Sequence, residues 1–126
     1  MMLTRYVLPI TMLVHGLAHL PGLVTAWRLR PLPDFPYHTV LLRGRFDVGD
    51  AGMRVVGALW LIAAIGFGLA ATAAFVGDPR WLPVGLVTAV LSSVLCVLEW
   101  PFARVGLWVN LVLLAGLAAT ARFSAP

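Results

Sequence analysis

Charge in this chain is pushed to the ends of four long apolar runs, at roughly 6–29, 51–76, 80–100 and 102–121. Each run is near or above the about 20 residues that an α-helix needs to cross a bilayer. Hydrophobic residues make up 61% of the sequence and charged ones only 11%, whereas soluble domains carry about 25% charge. The 126 residues therefore read as one transmembrane domain, 1–126, with a single sizeable loop at 30–50. The first run is too long for the about 7–15-residue core of a cleaved signal peptide and is expected to stay as a span. The turns at Gly77-Asp78-Pro79 and Glu99-Trp100-Pro101 are short, and short connections make antiparallel neighbours. The expected fold is all-α: an integral membrane four-helix bundle running up-down-up-down.

All nine basic residues are arginine and there are five acids, a net charge of +4. The arginines sit at the ends of apolar runs, where they read as interfacial anchors, with no clustered patch of the kind nucleic acid requires. Arg5, Arg80 and Arg122 fall on one side, and Arg28, Arg30, Arg43, Arg45, Arg54 and Arg104 on the other. That asymmetry predicts a cell-membrane protein with loop 30–50 in the cytoplasm and both termini outside. Cys96 is the single cysteine, so no internal disulfide is possible.

The second feature is polar. His15 and His19 lie inside the first run at a spacing of four, which puts both on one helix face, and Pro21 is expected to bend the helix just past His19 by freeing the Leu17 carbonyl. Ionisable side chains within a span normally face a protein interior or a watery cavity, and by default they mark a functional site. Counting about 1.5 Å per residue from the long-loop side places His19, Asn110, Ser92 and Trp60 at about 12–15 Å depth, with His15 and Thr88 a turn further. A polar midplane layer of His15, His19, Trp60, Ser92 and Asn110 is the expected binding site. Removal from water favours neutral imidazoles at pH 7.

Other expectations concern packing and pairing. Gly57, Ala64, Gly68 and Ala71 form a small-residue stripe on the second span, able to admit another helix or a second copy of the chain. Gly85, Thr88, Ser92, Cys96 and Glu99 form a comparable stripe on the third, and Gly106 and Asn110 lie a turn apart on the fourth. Asp50 is expected to cap the second span, Asp47 to meet Arg45 or Arg54, and Glu99 to pair with Arg54 or Arg104. Residues 30–36 read as a proline-rich extended connector, and 39–50 as a short helix or hairpin.

Three functions fit these residues. The first is a small binding or accessory subunit built around His15 and His19, packing against itself or a larger membrane complex. The second is a metal- or haem-binding redox protein: imidazoles at i and i+4 can share a metal ion, but a third protein ligand is usually needed and Cys96 looks too shallow. The third is a proton-coupled transporter, which with four spans would act as a dimer. No nucleophile elbow, P-loop, dinucleotide fingerprint or zincin motif occurs, so no catalytic residue is assigned and the chain does not read as an enzyme.

Three segments, His15-Gly16-Leu17-Ala18-His19-Leu20-Pro21-Gly22, Leu59-Trp60-Leu61-Ile62-Ala63-Ala64 and Trp100-Pro101-Phe102-Ala103-Arg104-Val105-Gly106 with Asn110, together resemble a group of small four-span bacterial integral membrane proteins. The distinctive part is the first-helix pattern His-Gly-x-x-His-Leu-x-Gly. Pro21 and Trp27 stand where that pattern has leucine and phenylalanine. The resemblance implies a four-helix membrane fold and no particular activity.

Overall fold

The computed structural model describes residues 2–124. Four helical spans long and apolar enough to cross a membrane cover Leu3–Ala26, Gly49–Phe75, Trp81–Leu98 and Arg104–Ser124, so by length and composition this is a multi-pass membrane protein. Its outer surface agrees: Val14, Val55, Ile62, Ile65, Leu69, Val87, Val94, Trp108 and Val112 are exposed. Such an apolar exterior suits hydrocarbon and would be costly in water.

The first span is broken. A π-helical stretch, Leu3–Val7, leads into α1 (Leu8–Leu17), and α2 (Leu20–Ala26) resumes after a turn at Ala18-His19. The cause is Pro21, in the first turn of α2, which has no N–H for the Leu17 carbonyl and whose ring crowds that carbonyl. The helix gives way upstream of the proline, between the two histidines and not past His19 as expected. His15 and His19 therefore belong to different helical segments, bridged by a 3.1 Å bond from His19 N–H to Gly16 C=O.

Helix α2 ends at Trp27, with Arg28 in the left-handed region at φ 52°. Arg28 N–H bonds Thr25 C=O at 3.0 Å and Leu29 N–H bonds Val24 C=O at 2.9 Å, a Schellman end. The same motif closes α3 (Gly49–Phe75), where Gly77 takes φ 77° and Asp78 N–H reaches Ala73 C=O at 2.8 Å. Glycine meets that backbone demand without strain, whereas arginine has a Cβ penalty of about 1–2 kcal/mol. Arg28 is held there by Tyr37, whose ring centroid lies 4.6 Å from the guanidinium, and by Asp50 at 3.7 Å.

Beyond the connector, β1 (Val40–Leu41) and β2 (Phe46–Asp47) form a two-stranded antiparallel hairpin with Leu41 opposite Phe46. The hairpin docks on the end of α4 (Trp81–Leu98) through a 2.9 Å bond from Leu42 N–H to Leu98 C=O, satisfying one of the carbonyls that a helix end leaves open. Helix α3 begins at Gly49, so Asp50 lies within its first turn and does not cap it. The capping contact comes from Asp47, whose carboxylate accepts the Gly49 N–H at 3.0 Å, in place of the expected arginine partner. Asp50 instead receives the Tyr37 hydroxyl.

Helix α3 packs against α1, α2 and α4; α5 (Arg104–Ser124) packs against α4 and α1. Small residues set the close approaches. A Cβ on Gly16 would lie 3.0 Å from Phe67 Cβ and 3.2 Å from the Ala64 carbonyl oxygen, and one on Gly57 would run into the Trp27 indole. The stripe on α3 thus admits another helix, the first span of the same chain, at Gly57 and Ala64. Two apolar clusters fill the interior. One gathers Leu8, Met12, Phe67, Ala89, Leu113 and Leu117; the other, on the long-loop side, gathers Ala26, Leu41, Met53, Val56, Trp60 and Leu95.

Candidate functional site

Between the two clusters lies a layer of buried polar groups contributed by every span. His15 comes from α1, His19 from the turn before α2, Ser92 from α4 and Asn110 from α5, and α3 supplies Trp60 and Phe67 as aromatic walls. His15 and His19 are 6% and 2% exposed, Ser92 and Asn110 not at all. The two imidazoles meet edge to face with centroids 4.7 Å apart; the Trp60 indole sits 5.2 Å from His19 and Phe67 5.2 Å from His15. The structure thus brings all five expected site residues together.

The polar atoms form one chain. His15 Nε2 lies 2.9 Å from Asn110 Oδ1, Asn110 Nδ2 lies 2.8 Å from Ser92 Oγ and 3.6 Å from Cys96 Sγ, and Ser92 Oγ lies 2.5 Å from His19 Nε2. His19 Nδ1 closes it, 2.7 Å from the His15 carbonyl oxygen.

Chemistry fixes the direction of each bond for neutral rings. A backbone carbonyl only accepts, so His19 Nδ1 carries the proton and its Nε2 accepts from the Ser92 hydroxyl. That hydroxyl has one proton to give, so toward Asn110 Ser92 accepts, from Nδ2. Asn110 then presents Oδ1 to His15, whose Nε2 donates. The reversed amide would leave the Ser92 proton shared between two acceptors. The two histidines therefore hold opposite tautomers, and His15 Nδ1 is left without a partner among the described residues.

Cys96 belongs to this layer. Counted from the helix end it looks shallow, but Ser92 is one turn earlier on the same face of α4, and the Asn110 amide spans the two. Its proximity to α5 depends on Gly106, where a Cβ would lie 2.9 Å from the Cys96 sulfur. No group of three His, Cys, Asp or Glu side chains able to hold a metal ion exists among the described residues. Moreover, both nitrogens of His19 are engaged in the chain.

Beside the layer is a cavity of about 530 Å³, within the range of small-molecule sites. It lies between the broken first span and α5. His15, His19, Trp60 and Cys96 line its inner wall, Val105 and Val109 its α5 side, and Phe35 and Phe102 its long-loop end. Trp60 is 4% exposed, and its Nε1–H has no partner. The break in the first span matters here: with α2 drawn onto α3, Gly22 lies so close to the Trp60 indole that any Cβ would overlap it.

The long-loop end is closed by a second polar group that the sequence did not reveal. Phe35, His38 and Phe102 stack, with Phe35–Phe102 centroids 5.4 Å and His38–Phe102 centroids 5.0 Å apart. The Thr25 hydroxyl ties the connector down by donating to Phe35 C=O at 2.7 Å. His38 Nδ1 donates to Pro36 C=O at 2.8 Å, and His38 Nε2 lies 2.5 Å from Glu99 Oε2. Glu99, only 1% exposed, therefore pairs with His38 and with neither Arg54 nor Arg104. The reason is the hairpin docking on α4, which folds the loop over the helix end. The bond to Glu99 raises the His38 pKa above its ordinary value of 6.5, against the opposing effect of partial burial.

No family model, curated protein or solved structure matches this chain.

Proposed function

We propose that the chain is a membrane-embedded binding protein that takes a lipid-soluble small molecule into the cavity beside His15 and His19. It acts either alone or as an accessory subunit of a larger membrane complex. In this reading the four spans run up-down-up-down, with loop 30–50 in the cytoplasm and both termini outside. The group of small bacterial four-span proteins with the His-Gly-x-x-His-Leu-x-Gly helix is where the chain would belong.

The observation that carries the proposal is the cavity of about 530 Å³, with apolar walls and a few convergent polar groups, the usual anatomy of a small-molecule site. A purely structural polar layer needs no such space beside it. The donor set gives little support to a metal ion shared by the two imidazoles, since His19 offers no free nitrogen.

Native mass spectrometry of the protein released from lipid nanodiscs tests the proposal. A co-purifying apolar molecule retained by the wild type and lost in Val109→Trp and Ala18→Trp, both of which fill the cavity, is the expected result. Equal retention by wild type and both variants would overturn it.

A further inference from the structure

The ligand's chemistry follows from which polar atoms the layer leaves unsatisfied, an argument that rests on the binding reading above. Within the chain of bonds from His15 to His19, each donor has an acceptor and each acceptor a donor. His15 Nδ1 is left over. With Nε2 donating to Asn110, the ring is neutral only if Nδ1 is a bare lone pair, an acceptor with no donor among the described residues. His15 lines the cavity, so this lone pair belongs to the cavity's chemistry.

The second unsatisfied atom has the opposite sense. Trp60 lines the same space, but its Nε1–H, a donor without an acceptor, is itself enclosed and presents no surface to the cavity. An unsatisfied buried polar group costs about 1–3 kcal/mol, and hydrocarbon offers no water to relieve it. A ketone, ester or ether carries only acceptors and would leave His15 Nδ1 bare. A hydrocarbon would leave it bare as well. A hydroxyl supplies the missing donor.

We propose that the cavity selects an apolar molecule bearing a hydroxyl group, a lipid-soluble alcohol whose O–H donates to His15 Nδ1. Nothing is transferred in this binding; the alcohol keeps its proton and the imidazole its lone pair.

Farnesol and farnesyl methyl ether, which differ in that single donor, test the idea on the full chain in nanodiscs with 15N-labelled histidine. The expected result is farnesol binding about tenfold or more tighter than its ether, with the unprotonated His15 nitrogen moving upfield as it accepts a hydrogen bond and the ether leaving it in place. Equal affinities with equal shifts would overturn the alcohol inference while leaving the binding reading intact. Failure of both probes to bind the wild type would overturn the two together. His15→Gln, whose amide keeps a donor for Asn110 and an acceptor for the ligand, is expected to retain the preference for the alcohol. A His15→Gln protein that binds the ether as well as the alcohol counts against the proposal.

Discussion

Three histidines occur in this chain, and their two settings solve opposite problems. His15 and His19 bond to no charged group among the described residues, and the relay of Ser92 and Asn110 accommodates them as neutral rings. His38 sits at the end of α4 against the Glu99 carboxylate, where the ring gains by being charged. The difference shows how depth decides the use of an imidazole. In the interior its value is directional, two nitrogens of different sense ordered by fixed partners. At the rim its value is electrostatic, holding the Phe35–His38–Phe102 stack over the cavity's end.

The strongest way to break the contrast is to cut the interior relay. Asn110→Leu removes the acceptor for His15 and the donor to Ser92 together, and is expected to destabilise the fold by about 1–3 kcal/mol, read from the midpoint of unfolding in mixed detergent micelles. A loss below what a single surface substitution gives would mean that the relay does not bind the spans together.

A packing change sharpens the same point at the next magnitude. Gly22→Ala forces the Trp60 indole off the cavity wall and is expected to cost about 1–2 kcal/mol, with a shifted tryptophan emission. Gly68→Ala, where a Cβ meets nothing within 4 Å, should change stability by less than about 0.5 kcal/mol. Equal effects from the two substitutions would contradict the packing described here.

At the rim the expected effect depends on pH. Because the folded-state pKa of His38 lies above 6.5, its bond to Glu99 contributes fully below pH 6.5 and is lost as pH rises through the raised value. Amide exchange over residues 32–38 should therefore quicken toward alkaline pH in the wild type, and Glu99→Gln should flatten that dependence. The Asp78–Arg80 pair gives the smallest effect. Arg80 holds the Asp78 carboxyl down to about 2, so its contribution is present above the ordinary 3.8 and fades as pH falls toward 2. Both side chains lie in an exposed turn, where screening leaves ion pairs little net value. Asp78→Asn should unfold together with the wild type at pH 7.

The four spans were legible because apolar runs of this length have few other fates, and the midplane layer because helical rise converts sequence position into depth. The break falls at Ala18-His19, ahead of the position expected just past His19, since a proline acts on the carbonyl four residues before it and the turn forms where that bond is missing. The Glu99 pairing is illegible for a different reason. Its partner His38 is 61 residues away, brought in by a hairpin that docks through one backbone bond, and no periodicity records such a contact. For Cys96, membership of the Ser92 face is a better guide than distance from the helix end. The cavity itself has no sequence signal, arising from the way α2 leans onto α3 after the break.

The ordering of protons in the interior relay is the claim on which the rest depends, and solid-state 15N–13C spectra of the histidine rings in nanodiscs at pH 7 test it directly. The expected result is two neutral rings of opposite tautomer, His15 protonated at Nε2 and His19 at Nδ1. The same tautomer on both, or a doubly protonated ring at either position, would contradict it.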